Sequence, residues 1–435
     1  MMSREKLPDP LEARVMRKVT WRLLPFLMLC YLLAFIDRAN IGMASLQMNT
    51  DLGLSSTVFG FGASLFFIAY FLMEVPSNLM LQRVGARLWI ARIMVSWGIV
   101  SAAMAFVWNV ESFYVMRFLL GAAEAGFFPG VILYLTYWMP PLYRGRTLAL
   151  FAVAIPLSSF IGSPLGGVLL SLDGVGGLHG WQWLFLCEGV PTILLGLACL
   201  RVLTDRPAQA EWLDTDEKRW LSAATTAATD GRPMVHGSAW GLIRTPAFWA
   251  MVLACCGASA AGSVLGVWQP QLLKSYGLTN LETGLVNSVP YGVAAIAMVL
   301  WGRHSDATNE RRWHTALPLL LIAAGVLGTF ALTGLAPTVL LLTFVLMGAY
   351  CFKGPFWSMA SSWLSAGTAA AGIAAINATS NLIGGGLMVN VYGLIHARTG
   401  SHVLALMPLA GLTIGSALAV IIVGRQARAR PVVAV

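Results

Sequence analysis

Twelve apolar stretches leave this chain few ways to fold: 22–47, 56–82, 88–108, 111–138, 146–171, 181–202, 246–272, 282–302, 313–333, 337–363, 368–396 and 402–424. About 20 apolar residues in a helix cross the ~30 Å hydrocarbon layer. Inside lipid, only helices and closed barrels satisfy every backbone N–H and C=O. A barrel strand would alternate apolar and polar residues over about ten positions, whereas these runs are unbroken. The expected fold is an all-α polytopic membrane protein with twelve transmembrane helices. Composition agrees, since 57% of the 435 residues are hydrophobic and 11% charged, where soluble globular proteins carry roughly a quarter charged. A water-soluble globule, a coiled coil, a disordered chain and a cytosolic enzyme are excluded.

The formal charge of +9 would suit nucleic acid only if it were gathered on one face. Its placement instead follows the loops. With alternate loops on opposite sides, 23 of the 28 Lys and Arg fall on one side: the N-terminus, Arg83, Arg87, Arg92, Arg144, Arg146, the 201–245 segment, Arg303, Arg311, Arg312 and the C-terminal arginines. Lys274 and Arg398 fall on the other. The positive-inside rule then puts both termini in the cytoplasm and removes nucleic acid as a partner. The first run follows some twenty residues rich in Arg and Lys and has no small-residue cleavage site after it, so it is expected to be a retained span. The six cysteines lie in apolar stretches with no CxxC pair, which predicts small buried hydrophobes and no metal site. None of the six His is near a span centre, and they read as solvated loop residues.

The 203–245 loop divides the chain into 1–202 and 246–435, each with six spans. Asp214 with Glu217 three residues on reads as the start of a short amphipathic helix on the cytoplasmic surface. The halves also resemble each other. Gly121-Ala-Ala-Glu124-Ala-Gly-Phe-Phe-Pro129 in the fourth span parallels Gly348-Ala-Tyr-Cys-Phe-Lys353-Gly-Pro355 in the tenth, and Ser158-Ser-Phe-Ile-Gly162 in the fifth parallels Ser380-Asn-Leu-Ile-Gly384 in the eleventh. Such parallel repeats point to two pseudo-symmetric six-helix bundles with a ligand between them near mid-membrane.

An ionisable side chain in the bilayer core costs at least ~2.5–3.5 kcal/mol and is retained for a function. Seven qualify: Asp37, Arg38, Glu74, Arg117, Glu124, Glu188 and Lys353. Only fourteen residues separate Arg22 from Asp37, too few to cross, so the Asp37-Arg38 pair lies within the membrane. At 1.5 Å per residue, Asp37, Arg38 and Arg117 should share one depth, with Glu124 and Lys353 in a layer below. Three cations face two acids in that set, an imbalance that an anion would settle, and Arg suits a carboxylate because its planar fork bonds bidentately. Burial favours a neutral carboxyl and a nearby cation favours a charged one. A substrate that engages Arg117 or Lys353 would therefore favour proton uptake by the acids. Glu74 and Glu188 read as gate or packing contacts. Tyr70, Trp357, Asn377 and Asn381 could orient a polar ligand. No P-loop, Rossmann glycine pattern, HExxH or nucleophile elbow is present, which leaves ATP drive, a bound cofactor and enzymatic chemistry without support.

The loop residues Arg83-Val-Gly85-Ala-Arg87, and Gly302-Arg-His-Ser-Asp306 followed by Glu310-Arg311-Arg312, resemble the signature loops of the major facilitator superfamily, with Gln82 where that signature has Asp. Phe35-Ile-Asp37-Arg38-Ala-Asn40, Glu74-Val-Pro76-Ser-Asn78, Arg117-Phe-Leu-Leu-Gly-Ala-Ala-Glu124, Gly180-Trp-Gln-Trp-Leu-Phe-Leu-Cys-Glu188 and Glu211-Trp-Leu-Asp-Thr-Asp-Glu217 resemble the anion:cation symporter family, in its bacterial branch of tartrate, phthalate and hydroxyphenylacetate permeases. The resemblance implies proton-coupled uptake of an organic anion across a bacterial inner membrane. By it, Asp37 and Glu124 match proton-handling acids, Arg38 and Arg117 match anion-binding positions, and Tyr70, Trp357 and Asn377 match cavity positions. Lys353 looks like the tartrate and phthalate form, where an extra cation suits a second carboxylate.

The expectation is a monomeric proton symporter that takes up a small carboxylate by rocking two bundles, with Asp37 and Glu124 carrying the proton. Arg38, Arg117, Lys353, Tyr70, Trp357, Asn377 and Asn381 would form the substrate site, and Arg83, Gly85, Arg87, Gly302 and Asp306 the gate loops. An anion exchanger or a proton-driven exporter is the alternative, since Gly162-Ser-Pro164-Leu-Gly166-Gly167 loosely resembles an antiporter signature.

Overall fold

A computed structural model describes residues 10–226, 243–363 and 369–429, and every regular element among them is helical. Twelve helical segments are long and apolar enough to cross a membrane. The first six are Pro10–Asp51, Ser56–Leu81, Ala86–Phe106, Val110–Trp138, Leu150–Leu170 and Gly180–Val202. The second six are Pro246–Lys274, Asn280–Thr308, Arg312–Ala331, Leu335–Ser361, Gly372–Thr399 and His402–Ile422. They are numbered here as spans 1 to 12. An even number of crossings returns the chain to one side, called below the termini side, with the opposite face called the far side.

Span 1 is longer than its apolar run, a 42-residue helix. Its first turns carry no glycine, open on Pro10 with Glu12 in the first turn, and bury Val15, Met16 and Val19. These turns dock a short linker helix, Thr215–Thr226. That helix starts where the Asp214/Glu217 spacing places it: the Glu217 amide donates to Asp214 Oδ1 at 2.8 Å and the Asp214 amide to Glu217 Oε2 at 3.1 Å. The Glu217 side chain is buried, and Lys18 Nζ and Arg14 Nε reach its Oε1 at 2.7 and 3.0 Å. Residues 227–242 lie outside the described residues.

The packing pairs repeat in the two halves. Span 3 lies on span 6 as span 9 lies on span 12, span 2 on 4 as 8 on 10, and span 1 on 6 as 7 on 12. Small residues let these helices close. A Cβ on Gly98 would sit 2.8 Å from the Gly189 carbonyl oxygen, and one on Gly121 2.2 Å from that of Phe66. The two six-helix bundles then meet through spans 5 and 8, 2 and 11, and 1 and 7.

Hydrogen bonds across this seam run from mid-membrane to the far face. Asn287 Nδ2 donates to Ser163 Oγ (2.8 Å), Gln271 Nε2 to Ser45 Oγ (2.8 Å) and Ser64 Oγ to the Gly386 carbonyl (2.7 Å), while Ser56 Oγ meets His396 Nδ1 (2.9 Å). Glycine allows the approach: a Cβ on Gly284 would lie 2.4 Å from the Ser163 carbonyl oxygen, and one on Gly393 2.5 Å from that of Ser56. The seam is drawn together on the side away from the termini.

Two expectations need correction here. Cys187 is exposed, so only five of the six cysteines are buried; span 6 turns that position outward to where lipid would lie. Three of the His are also less solvated than expected, His314 being buried and His396 and His402 half-buried, while His179 and His304 are exposed. His304 Nδ1 lies 2.7 Å from His314 Nε2, and the rings of His396 and His402 stack at 4.1 Å, because the ends of adjacent spans bring them together. His236 lies outside the described residues.

Candidate functional site at the bundle junction

Helix breaks place two of the ionisable residues. Span 4 is two helices, Val110–Glu124 and Phe127–Trp138, joined through Gly126 at φ +87°. Pro129 has no N–H for the Ala125 carbonyl, so the first helix ends with Glu124 in its last turn. A Cβ on Gly126 would stand 2.3 Å from Ser77 Oγ, and the left-handed backbone there favours glycine in any case. Span 10 has a boundary at the matching place, with Leu335–Cys351 and Lys353–Trp363 on either side of Phe352, but the backbone stays helical there (φ −58°, ψ −40°) and the Phe352 amide still bonds the Gly348 carbonyl at 3.2 Å, so Pro355 is accommodated without a break like that at Gly126. Glu124 and Lys353 thus stand at matching places in the two halves, Glu124 at a break and Lys353 in a helix that runs on through Phe352.

Arg38 and Glu124 form an ion pair, Nε to Oε1 at 2.6 Å. Glu124 is 1% exposed, and its Oε2 has no hydrogen-bond partner. The Arg38 guanidinium lies over Tyr70 at 4.9 Å and Phe35 at 5.0 Å from the ring centroids. Arg117, 3% exposed, has no carboxylate within ion-pair distance among the described residues, although the charges of Asp37 and Glu124 act on it from farther off. Its guanidinium makes only long contacts to the Gly62 and Ala63 carbonyls, at 3.4 and 3.5 Å, and lies 5.0 Å from the Phe66 ring. Arg38 and Arg117 line one cavity of about 30 Å³ with Ile41, Phe66, Phe67, Leu120 and Val267 of span 7, at the junction of the bundles. That is room for about two waters, comparable to the bulk of one carboxylate group. Lys353 stands across the junction, its Nζ 5.0 Å from the Tyr350 ring and likewise without an acidic partner. Arg38 is among the charges that act on it.

The three residues expected to share the upper layer do not share one site. Arg38 reaches down to Glu124, and Asp37, one residue earlier and so about 100° around the helix, turns away from the cavity into the first bundle. There Trp97 Nε1 donates to Asp37 Oδ2 at 2.7 Å and the Ser101 hydroxyl bonds Oδ1. Among the other expected residues, Tyr70 is buried beneath Arg38. Asn377 and Trp357 are half-buried, Trp357 edge-on to Phe356. Asn381 Oδ1 accepts from Ser259 Oγ at 2.7 Å, a contact within the second bundle. Glu74 and Glu188 are both buried, with unpartnered oxygens. Sequence reasoning missed Trp97, Ser101, Phe66 and Phe67. Their hydroxyl and aromatic groups carry no charge to mark them among many similar residues in the spans.

The loop residues form their own contacts. Gly85 has φ +98° and lets span 3 start beside the linker, where Asp205 Oδ1 accepts from the Arg87 amide at 2.8 Å. Asp205 thus supplies a carboxylate to the loop that has Gln82 at its signature position. Arg83 and Arg87 are exposed. In the second loop Arg311 pairs with Asp306 at 2.7 Å, and Gly302 is half-buried with open space around its Cα.

A family model described as Major Facilitator Superfamily matches residues 27–389. The chain belongs to the major facilitator superfamily. It is 49% identical over 418 residues to a protein of Agrobacterium vitis named "Putative tartrate transporter", covering 96% of this chain and 93% of that protein. It is 42% identical over 410 residues, 93% of each chain, to "Putative metabolite transport protein NicT" of Pseudomonas putida. Among solved structures it resembles the D-xylose-proton symporter, with a TM-score of 0.75 at 16% identity, over 92% of this chain and 97% of that one. At that identity the likeness speaks for the fold. This superfamily member is a transporter and not an enzyme, set in a membrane by its twelve apolar helices.

Proposed function

We propose that this protein is a proton-coupled symporter that imports a small organic anion, a dicarboxylate such as tartrate or phthalate or an aromatic carboxylate, by alternating access of bundles 1–202 and 246–435 about the 203–245 linker. It would work as a monomer in a bacterial inner membrane with both termini in the cytoplasm. One observation carries the reading: among the described residues, Arg117 and Lys353 are cations inside the spans with no carboxylate at ion-pair distance, and Arg117 shares its cavity with Arg38. Buried cations left without counter-ions disfavour the folded state, and an anionic substrate would supply what they lack. The name of the tartrate relative supports a carboxylate.

In this mechanism a carboxylate enters the cavity and is held by Arg38 and Arg117, with Tyr70 and Phe66 walling the guanidinium groups. Lys353 takes a second carboxylate across the junction, and Trp357, Asn377 and Asn381 orient the remainder. Substrate competes with Glu124 for Arg38. A carboxylate that loses its cation in a buried site favours the neutral form, so Glu124 takes up a proton as the anion binds, and Asp37 assists from the other face of span 1. Proton and anion then move together. Glu124→Gln should abolish accumulation driven by a pH gradient while leaving counterflow of substrate intact in proteoliposomes. Wild-type accumulation by that variant would remove Glu124 from the coupling, and flux of substrate outward under an inward proton gradient would favour the exporter reading.

A further inference from the structure

The central cavity measures about 30 Å³, room for one carboxylate group, so a whole organic acid needs a wall that gives way. Ile41, Leu120 and Val267 are buried in their helices, and Phe66 is buried with both guanidinium groups against it, Arg117 at 5.0 Å and Arg38 at 5.6 Å from the ring centroid. Phe67 differs from these. It lines the same cavity but is only half-buried, and it stands edge-on to Phe66 with the ring centroids 5.3 Å apart.

Behind Phe67, span 11 leaves the α-helix for a single π-helical turn, Leu382–Leu387, of sequence Leu-Ile-Gly-Gly-Gly-Leu. Such turns are rare and recur at functional sites. The counterpart of this segment in span 5 lies within one α-helix, Pro141–Leu170, so the internal repeat does not call for the π-turn. Its three glycines face two ways. A Cβ on Gly384 would lie 2.7 Å from the Ala260 amide nitrogen of span 7, whereas one on Gly385 would lie 2.5 Å from Phe67 Cε1 and 2.7 Å from Phe67 Cδ1, and one on Gly386 3.5 Å from Phe67 Cβ. The phenyl ring thus rests on bare backbone. Ser64, three residues before Phe67, fastens the same turn to span 2 through its 2.7 Å bond to the Gly386 carbonyl. A side chain at position 385 would push the ring off this seat, and the space on the ring's other side is the anion cavity.

We propose that Phe67, seated on the Gly385–Gly386 backbone, is the size filter of the anion site, and that it favours compact aliphatic carboxylates such as tartrate over aromatic acids such as phthalate. The inference rests on the carboxylate reading above and narrows it. The guanidinium groups recognise the carboxylate that both acids share, and the ring beside them decides how much carbon can follow. Apolar pocket walls discriminate by bulk in this way, one methylene group being worth about tenfold or more.

The test is calorimetric titration of the purified full-length protein with tartrate and with phthalate. The wild type should prefer tartrate by about tenfold. Phe67→Ala should remove that preference, raising phthalate affinity about tenfold and leaving tartrate within about threefold. Gly385→Ala should weaken both acids by driving the ring into the cavity. Gly385→Ala combined with Phe67→Ala should recover the affinities of Phe67→Ala alone, which a glycine needed only for helix packing would not allow. An unchanged tartrate-to-phthalate ratio in Phe67→Ala overturns the proposal, and so does a Gly385→Ala defect that persists in the double variant. A wild type that binds both acids equally removes the filter and leaves the carboxylate reading standing. A wild type that binds no carboxylate at all removes that reading, and this inference with it.

Discussion

Asp37 and Arg38 are neighbours in the chain, yet they belong to different environments. One helical step of about 100° sends the carboxylate to Trp97 and Ser101 and the guanidinium to Glu124. Lys353 has no such commitment and is available to a second carboxylate of the substrate. Lys353→Ala should therefore weaken dicarboxylates by about tenfold, the order of one charge-assisted hydrogen bond, and monocarboxylates far less. A panel of both, compared by thermal shift of the purified protein, checks this. Equal losses would place Lys353 outside the substrate site.

Among the elements, the start of span 9 shows how a loop carboxylate is fixed. Burial pushes the Glu310 carboxyl up, but hydrogen bonds from the Trp313 amide, the His314 ring and the His314 amide outweigh it and hold it below its usual range. A group with a lowered folded pKa stabilises the fold above its unfolded pKa and loses that contribution as pH falls through the folded value. Glu310→Gln should cost about 1 kcal/mol near neutral pH, as for loss of a helix cap, and the difference should begin to shrink below about pH 4 and vanish once pH passes below the lowered folded value. Thermal denaturation of both proteins across that range checks the sign. Spans 4 and 10 are instructive at the same scale. Each runs as one apolar stretch in the sequence, but only span 4 is broken at its charged residue, where Pro129 removes a helical donor and Gly126 takes a left-handed backbone, while span 10 stays helical through Phe352. Both prolines and Gly126 were visible in the paired motifs. The resulting break was not, since proline within a membrane helix can also be accommodated without one, as Pro25 is in span 1.

For the whole molecule, the bundles are drawn together along the far-side seam, and on the alternating-access reading that seam would set which face of the central site is reached. It closes through backbone contact at Gly284 and Gly393. A bulky residue at Gly284 would strike the Ser163 backbone, which belongs to a packed helix and does not yield as a flexible side chain would. Gly284→Leu should wedge spans 5 and 8 apart and shift the population toward the state open on the far side. A single cysteine placed at Ser45 would then label faster from the far face than it does in the parent, and unchanged labelling would mean that the seam does not set access.

The sequence by itself determined the number of spans, the pseudo-repeat, the superfamily and which charged residues lie within the membrane. The span count and the placement of the charged residues depend on the cost of polar groups in hydrocarbon, which acts on local stretches of chain whatever their neighbours, while the repeat and the superfamily were legible as local motifs and their resemblance. Tertiary structure decided the pairings: Arg38 with Glu124, Asp37 with Trp97 and Ser101, Asp205 with the Arg87 amide, and Arg117 and Lys353 with no acid at ion-pair distance among the described residues. Depth along a helix can be counted from the sequence at 1.5 Å per residue. The direction in which a side chain meets another helix depends on how the helices are rotated and how closely their glycines let them pack, and that is a property of the assembled bundles.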